Sequence, residues 1–185
     1  QSPEYKQVVE TMKKQLDSEQ VRHNDAGLIP ESELNYRAAQ NGITPYEVIY
    51  NKDLYDIDAY MQAAAVALEQ KTEFYAELQE LLKSPDSGVR HWALCGLFML
   101  RDKVDVSNDV QGLLNDESET VRAMAAWTLI DINQSAEAYK VFENLLKSDT
   151  YAELEILNYI DWMGANNKRL IPFVKNYKIK DGKLK

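Results

Sequence analysis

Cysteine is nearly absent: the 185 residues contain only Cys95. That excludes an internal disulfide, a CxxC redox pair and a cysteine-rich zinc site. Glycine (7) and proline (5) are scarce, and the apolar/polar alternation of β-branched residues that marks strands is almost missing. No apolar run approaches the ~20 residues needed to span a bilayer as a helix, so membrane insertion is not expected. Positive charge is also in deficit, with 21 Lys and Arg against 30 Asp and Glu and a net charge of −9. Nucleic-acid binding draws its affinity from Lys and Arg on phosphates, so that class is excluded, as is docking on an anionic membrane surface. What the chain does have is 45% hydrophobic residues, enough for a buried core rather than disorder. It opens at Gln1 with neither an initiator Met nor a signal segment, and is therefore expected to be a processed product or a piece of a longer chain.

Apolar spacing follows the helical period throughout. Phe74, Leu78, Leu81 and Leu82 fall at i, i+4, i+7 and i+8, and Val89, Ala93, Gly96, Leu97 and Leu100 continue the pattern. Thr44-Pro45-Tyr46-Glu47 reads as a capping box with Pro45 at the first helical position. Asn41-Gly42 is a helix stop just before it. Tyr5, Val8, Val9, Met12 and Leu16 predict an amphipathic leading helix.

The most informative feature is internal repetition. Leu81-Leu82-Lys83-Ser84-Pro85-Asp86-Ser87-Gly88-Val89-Arg90 returns 32 residues later as Leu113-Leu114-Asn115-Asp116-Glu117-Ser118-Glu119-Thr120-Val121-Arg122. A third copy opens at Leu145-Leu146-Lys147-Ser148-Asp149 and keeps Leu154, Leu157, Ile160 and Met163, but loses the Val-Arg pair. Each unit reads as helix, polar turn, helix, with Asp86 and Ser118 as equivalent N-caps of the second helix. A degenerate pair precedes them, using Ile57, Met61, Ala64 and Leu68 with a helix starting near Glu73. One pair cannot bury its apolar stripe alone, so stacking is required. The expected fold is all-α: a short α-α superhelix (a HEAT/armadillo-like solenoid) of about three to four helical pairs. The expected divisions are residues 1–55 as leading helix and connecting segment, 56–165 as repeats (about 56–83, 74–102, 106–133 and 137–165), and 166–185 as C-terminal helix and tail.

Asp86-Ser87-Gly88-Val89-Arg90-His91-Trp92-Ala93 and Val121-Arg122-Ala123-Met124-Ala125-Ala126 resemble the HEAT-like repeats of bacterial proteins, whose second helix opens with Asp-x-x-Val-Arg and an Ala-rich stretch. The N-terminal third carries a second resemblance. Asp25-Ala26-Gly27-Leu28-Ile29-Pro30-Glu31, then Thr44-Pro45-Tyr46-Glu47, then Asp53-Leu54-Tyr55 lead into the repeats without a linker. From Val21 to Ile132 this order is similar to the region following the catalytic domain of bacterial polysaccharide sulfatases. The resemblance implies a non-catalytic scaffold and a periplasmic, cell-surface or secreted location. Its implied partner is the catalytic domain of the parent chain, with the leading helix as the last one leaving that domain. A free-standing HEAT-like adaptor for a protein partner is the alternative.

The chemistry of that family is not carried by this chain. Its formylglycine arises within Cys/Ser-x-Pro-x-Arg, whereas Cys95 sits in Leu94-Cys95-Gly96-Leu97-Phe98, and no serine completes the motif. No catalytic residue, metal site or cofactor is expected here. His23 and His91 form no HExxH, and neither phosphate-loop nor Gly-x-Ser-x-Gly patterns occur. Asp53, Asp56 and Asp58 could hold a hard cation or simply cap a helix. Arg90 and Arg122 could face one ridge and grip an anion, or pair with the adjacent repeat. His91 and Cys95 share a helix face, as a reactive pair or as small core filling. Tyr36, Tyr46, Tyr50, Tyr55 and Tyr60 crowd into 25 residues, as a sugar-stacking platform, a docking face or packing for irregular connections. Asn133-Gln134-Ser135 marks an exposed turn, and the lysine-rich tail from Lys175 to Lys185 reads as solvated.

Overall fold

Several helices of this chain start where a side-chain oxygen meets the free N–H groups of a first turn, as at Thr44, Asp56, Asp86, Ser118 and Ser135. The computed structural model describes residues 2–148, 150–164, 168–175 and 177. The leading segment holds α1 (Lys6–His23), α2 (Glu31–Asn41), α3 (Pro45–Ile49) and α4 (Ile57–Leu68). Then come α5 (Tyr75–Leu81), α6 (Ser87–Leu100), α7 (Ser107–Gln111), α8 (Glu119–Asn133), α9 (Ala136–Lys147), α10 (Glu153–Met163) and α11 (Ile171–Lys175). No strand occurs among the described residues, and residues 178–185 of the lysine-rich tail lie outside them.

The local signals act as chemistry requires. At α3 the Thr44 hydroxyl accepts from Glu47 N at 3.2 Å, while the Glu47 carboxylate accepts from Thr44 N at 2.8 Å. Gly42 ends α2 at φ 64°, a left-handed conformation that a side chain would strain. Asp86 caps α6 by accepting from Gly88 N (2.8 Å) and Val89 N (3.3 Å), and Ser118 caps α8 through Val121 N (3.4 Å). Thr150 stands one period further on and accepts from Ala152 N at 3.0 Å. Asp56 caps α4 through Asp58 N, which is the role the structure gives that acidic cluster.

The 32-residue units are α5–α6, α7 plus the short 3-10 turn Gly112–Asn115 with α8, and α9–α10. Their second helices lie side by side, α4 on α6, α6 on α8 and α8 on α10, with α5, α7 and α9 backing them. The buried core between the layers includes Leu78, Leu94, Leu97, Leu129, Phe142 and Ile156. Gly96 permits the closest approach: a Cβ there would meet Leu78 Cδ2 at 2.5 Å and Ala67 Cα at 3.0 Å. Ile29, Tyr55, Ile57, Tyr60, Ala63 and Val89 form a second cluster that seals the leading segment to α6. The architecture is an all-α helical-repeat solenoid.

One helix stands apart. α1 buries none of its residues, and Tyr5, Val8, Met12 and Leu16 are 57, 53, 65 and 58% exposed. The predicted amphipathic helix thus forms, but among the described residues most of its apolar stripe is left exposed, with only Val9 half-buried.

Candidate functional site

The N-terminal ends of α6, α8 and α10 line up along one edge of the solenoid, and α2 is bolted across them by polar groups. The buried Glu33 carboxylate accepts from Ser87 Oγ at 2.5 Å, Ser118 Oγ at 2.8 Å and Arg37 Nε at 3.0 Å. It therefore sits at the N-termini of both α6 and α8, where helix dipoles favour negative charge. Arg37 in turn forks onto Asp86, both bonds at 3.1 Å, and donates to Ser87 Oγ at 2.9 Å and to Leu54 O. Tyr60 adds its hydroxyl to Asp86 at 2.8 Å. Burial works against the charge on Asp86, but Arg37 and Tyr60 outweigh it and hold its carboxyl below the usual range. Gly88 makes this possible, since a Cβ there would fall 2.0 Å from the Tyr60 oxygen. Among the described residues no buried side-chain nitrogen or oxygen lacks a partner.

Between α2 and the inner helices lies a cleft of about 1240 Å³. Its floor is a row of aromatic rings. Trp127, which meets Phe98 outside the lining at 4.3 Å between centroids, stacks on Tyr159 at 4.5 Å. Trp162 leans on both, at 5.5 and 5.9 Å. Trp92 is fixed from the other side by its indole N–H, which donates to Leu28 O at 2.7 Å. Tyr36 and Tyr151 meet edge to face at 5.9 Å, and Tyr151 lines the cleft.

At the cleft wall His91 Nε2 lies 3.3 Å from Glu155 Oε1, although α8 runs between their helices. The contact is open because Ala123, one period after His91 and one before Glu155, occupies the intervening position with only a methyl group. Ser32 of α2 donates to Glu155 Oε2 at 2.6 Å. With the Ser32 proton so committed, the Thr120 hydroxyl at 2.6 Å donates to Ser32. Tyr159 also donates to Glu155. Burial opposes a charge on His91, but Cys95 and Glu155 outweigh it and hold the imidazole well above its usual pKa. Burial would likewise raise Glu155, yet His91, Ser32 and Tyr159 keep its carboxyl below the usual range. The result is an ion pair that ties α6 to α10, with α2 attached through Ser32. Cys95 Sγ is 3.8 Å from His91 Nδ1 and completes this packing.

The residues singled out from sequence are dispersed by the fold. Tyr55 and Tyr60 are 1 and 0% exposed and belong to the core, their hydroxyls spent on Asp25 O and Asp86; they are not part of an interaction surface. Tyr46 and Tyr50 form an exposed pair at 4.8 Å by α3, separate from Tyr36 at the cleft edge. Arg90 does not present an anion-binding ridge either. It is buried, forks onto Asp116 at 2.8 and 2.9 Å, and reads the carbonyls of Ser84 and Pro85 in its own turn. Arg122 repeats that turn contact on Asp116 O and Glu117 O. The position one period after Asp116 is Ser148, so the carboxylate half of the staple is missing from the third unit. Both arginines therefore serve the repeat ladder. No group of three His, Cys, Asp or Glu placed to hold a metal occurs among the described residues.

The cleft itself went unread in the sequence, although a signal existed. Cys95, Trp127 and Tyr159 are spaced by one period each, and so are Phe98, Ile130 and Trp162. Projecting the repeat register onto the inner face would have placed the aromatic row. Residues 75–156 match the family model of HEAT repeats. Neither a curated protein nor a solved structure matches the chain. Residues 75–156 thus carry HEAT repeats within an all-α helical-repeat fold. Among the described residues no helix is long and apolar enough to cross a membrane.

Proposed function

We propose that this scaffold is non-catalytic, needs no cofactor, and forms the C-terminal helical-repeat part of a bacterial polysaccharide sulfatase, where it packs on the catalytic domain. The observation that carries this reading is α1. Its apolar stripe of Tyr5, Val8, Met12 and Leu16 is more than half exposed along its length, an arrangement that solvent alone does not favour. It is the surface that a domain placed ahead of the repeats would cover. The order of segments from Asp25 to Tyr55 supports the same reading through its resemblance to the region that follows such catalytic domains. Export to the periplasm or cell surface belongs to this proposal.

The test is the mass of the native polypeptide in its own cells, detected with an antibody raised against this sequence. A band well above 21.2 kDa that co-purifies with sulfatase activity is the expected result. In that parent, Met12→Asp together with Leu16→Asp should loosen the repeats from the catalytic domain, seen as faster proteolytic separation of the two. A single native species near 21 kDa would overturn the proposal in favour of a free-standing adaptor.

A further inference from the structure

The cleft between α2 and the inner helices is a second surface, distinct from α1, none of whose residues lines it. Its volume of about 1240 Å³ exceeds the ~300–1,000 Å³ typical of small-molecule sites. Its apolar rim is open to solvent, with Trp162 65%, Leu154 52% and Tyr151 42% exposed. Among the described residues its charged lining is acidic: it includes Glu31, Glu153 and Glu155 but neither Lys nor Arg, and His91 is already paired with Glu155. Such a lining repels sulfate, phosphate and acidic segments, while aromatic faces beside carboxylates attract cations. An inner ridge of stacked repeats is also suited in shape to an extended segment of another chain.

We propose that this cleft is a docking groove for a cationic peptide segment of a partner protein, with lysine or arginine interleaved with apolar side chains. The apolar side chains lie on the Trp127–Tyr159–Trp162 row, and the cations meet Glu31 and Glu153 at the rim. Trp162 is the anchor, because a large, exposed aromatic that continues the Trp127–Tyr159 row to the rim is the kind of residue that dominates interface energetics.

The proposal is tested by titrating the full chain with a fluorescein-labelled peptide that alternates lysine with leucine and tyrosine, its glutamate counterpart serving as control. The lysine peptide should bind saturably and perturb tryptophan fluorescence, whereas the glutamate peptide should not bind. Trp162→Ala should weaken binding about tenfold or more. Glu31→Lys should weaken it roughly two- to fivefold, mainly through slower association that is sensitive to salt. Because Trp162 also packs on Trp127 and Tyr159, Leu154→Ser at the rim provides a second variant, and thermal melting confirms that each is folded. Equal binding of the two peptides would overturn the proposal. So would wild-type affinity in both Trp162→Ala and Leu154→Ser, or saturation by a neutral oligosaccharide without binding of the lysine peptide. None of these outcomes bears on whether α1 docks a catalytic domain.

Discussion

Glu155→Ala removes the charge partner of His91 together with the acceptor for Ser32 and Tyr159. The side chains of His91 and Glu155 are 13 and 17% exposed, so solvent screens the pair little. Breaking a buried pair from one side typically costs about 3–5 kcal/mol, because the surviving group is left uncompensated. For a chain of this size each kcal/mol shifts the melting midpoint by roughly 2–4 °C, so the variant should melt about 6–20 °C below wild type. Urea titration at pH 7 should show the same loss in midpoint with an unchanged slope. His91→Leu with Glu155→Leu removes both charges, and apolar replacement of a whole pair is often near neutral. The Tyr159 hydroxyl would then lose its partner, at about 1–3 kcal/mol, whereas Ser32 keeps its bond with Thr120. The double variant should therefore be more stable than Glu155→Ala alone. A Glu155→Ala loss below about 1 kcal/mol, or single-variant losses that simply add in the double variant, would refute the coupling.

The pair also fixes a pH dependence. The folded His91 pKa lies well above 6.5, so its contribution is complete below about pH 6.5 and is lost as pH rises through the folded value. The folded Glu155 pKa lies below 4.5, so its contribution is complete above about pH 4.5 and disappears as pH falls through the folded value. Stability from this pair should form a plateau between about pH 4.5 and 6.5, with an alkaline limb. Glu155→Gln keeps the hydrogen-bond acceptor but removes the charge, and should flatten that limb in melting curves taken from pH 5 to 9.

Three further predictions follow from the same contacts. Ala123→Leu fills the gap through which His91 and Glu155 meet, and should cost about 1–3 kcal/mol while flattening the alkaline limb in the same melts. Arg90→Ala strips a buried fork from Asp116 and should cost about 3–5 kcal/mol in urea titrations. Arg122→Ala, whose carboxylate contact is 3.8 Å and partly exposed, should cost about 1 kcal/mol or less, and equal losses would contradict the staple. Gly96→Ala drives a methyl group into Leu78 and the α4 backbone, and should lose about 1–3 kcal/mol without changing helix content by circular dichroism.

Features that live within a few residues were legible from sequence. The Thr44–Glu47 box and the Asp86 and Ser118 caps are local hydrogen bonds whose donors lie two or three residues from their acceptors. The 32-residue return of Leu-Leu and Val-Arg exposed the solenoid, since stacking demands the same apolar face in every unit. What failed were inferences from residue type alone. Tyr55 lies in a connection without a helical period and Tyr60 in the first turn of α4, and only the fold shows that both turn into the second core cluster. Glu33 and Arg37 have the i, i+4 spacing of an ordinary solvent-facing pair, yet they are buried because Ser87, Ser118 and Asp86, far along the chain, supply their partners.

The manner in which α2 is held bears on what the cleft can do. An apolar contact tolerates sliding, because burial is non-directional. The Glu33, Arg37 and Ser32 bonds each demand one geometry, and their partners Ser87, Ser118, Asp86 and Glu155 sit at the N-terminal ends of the inner helices. Sliding α2 would strand a buried carboxylate and guanidinium, which costs far more than moving an apolar side chain. α2 is therefore a fixed wall of the cleft, and the spacing between it and the aromatic row is set before any partner arrives. A pre-formed groove of this kind keeps the ordering cost on the incoming segment, so what that segment gains must come from its own apolar and cationic side chains.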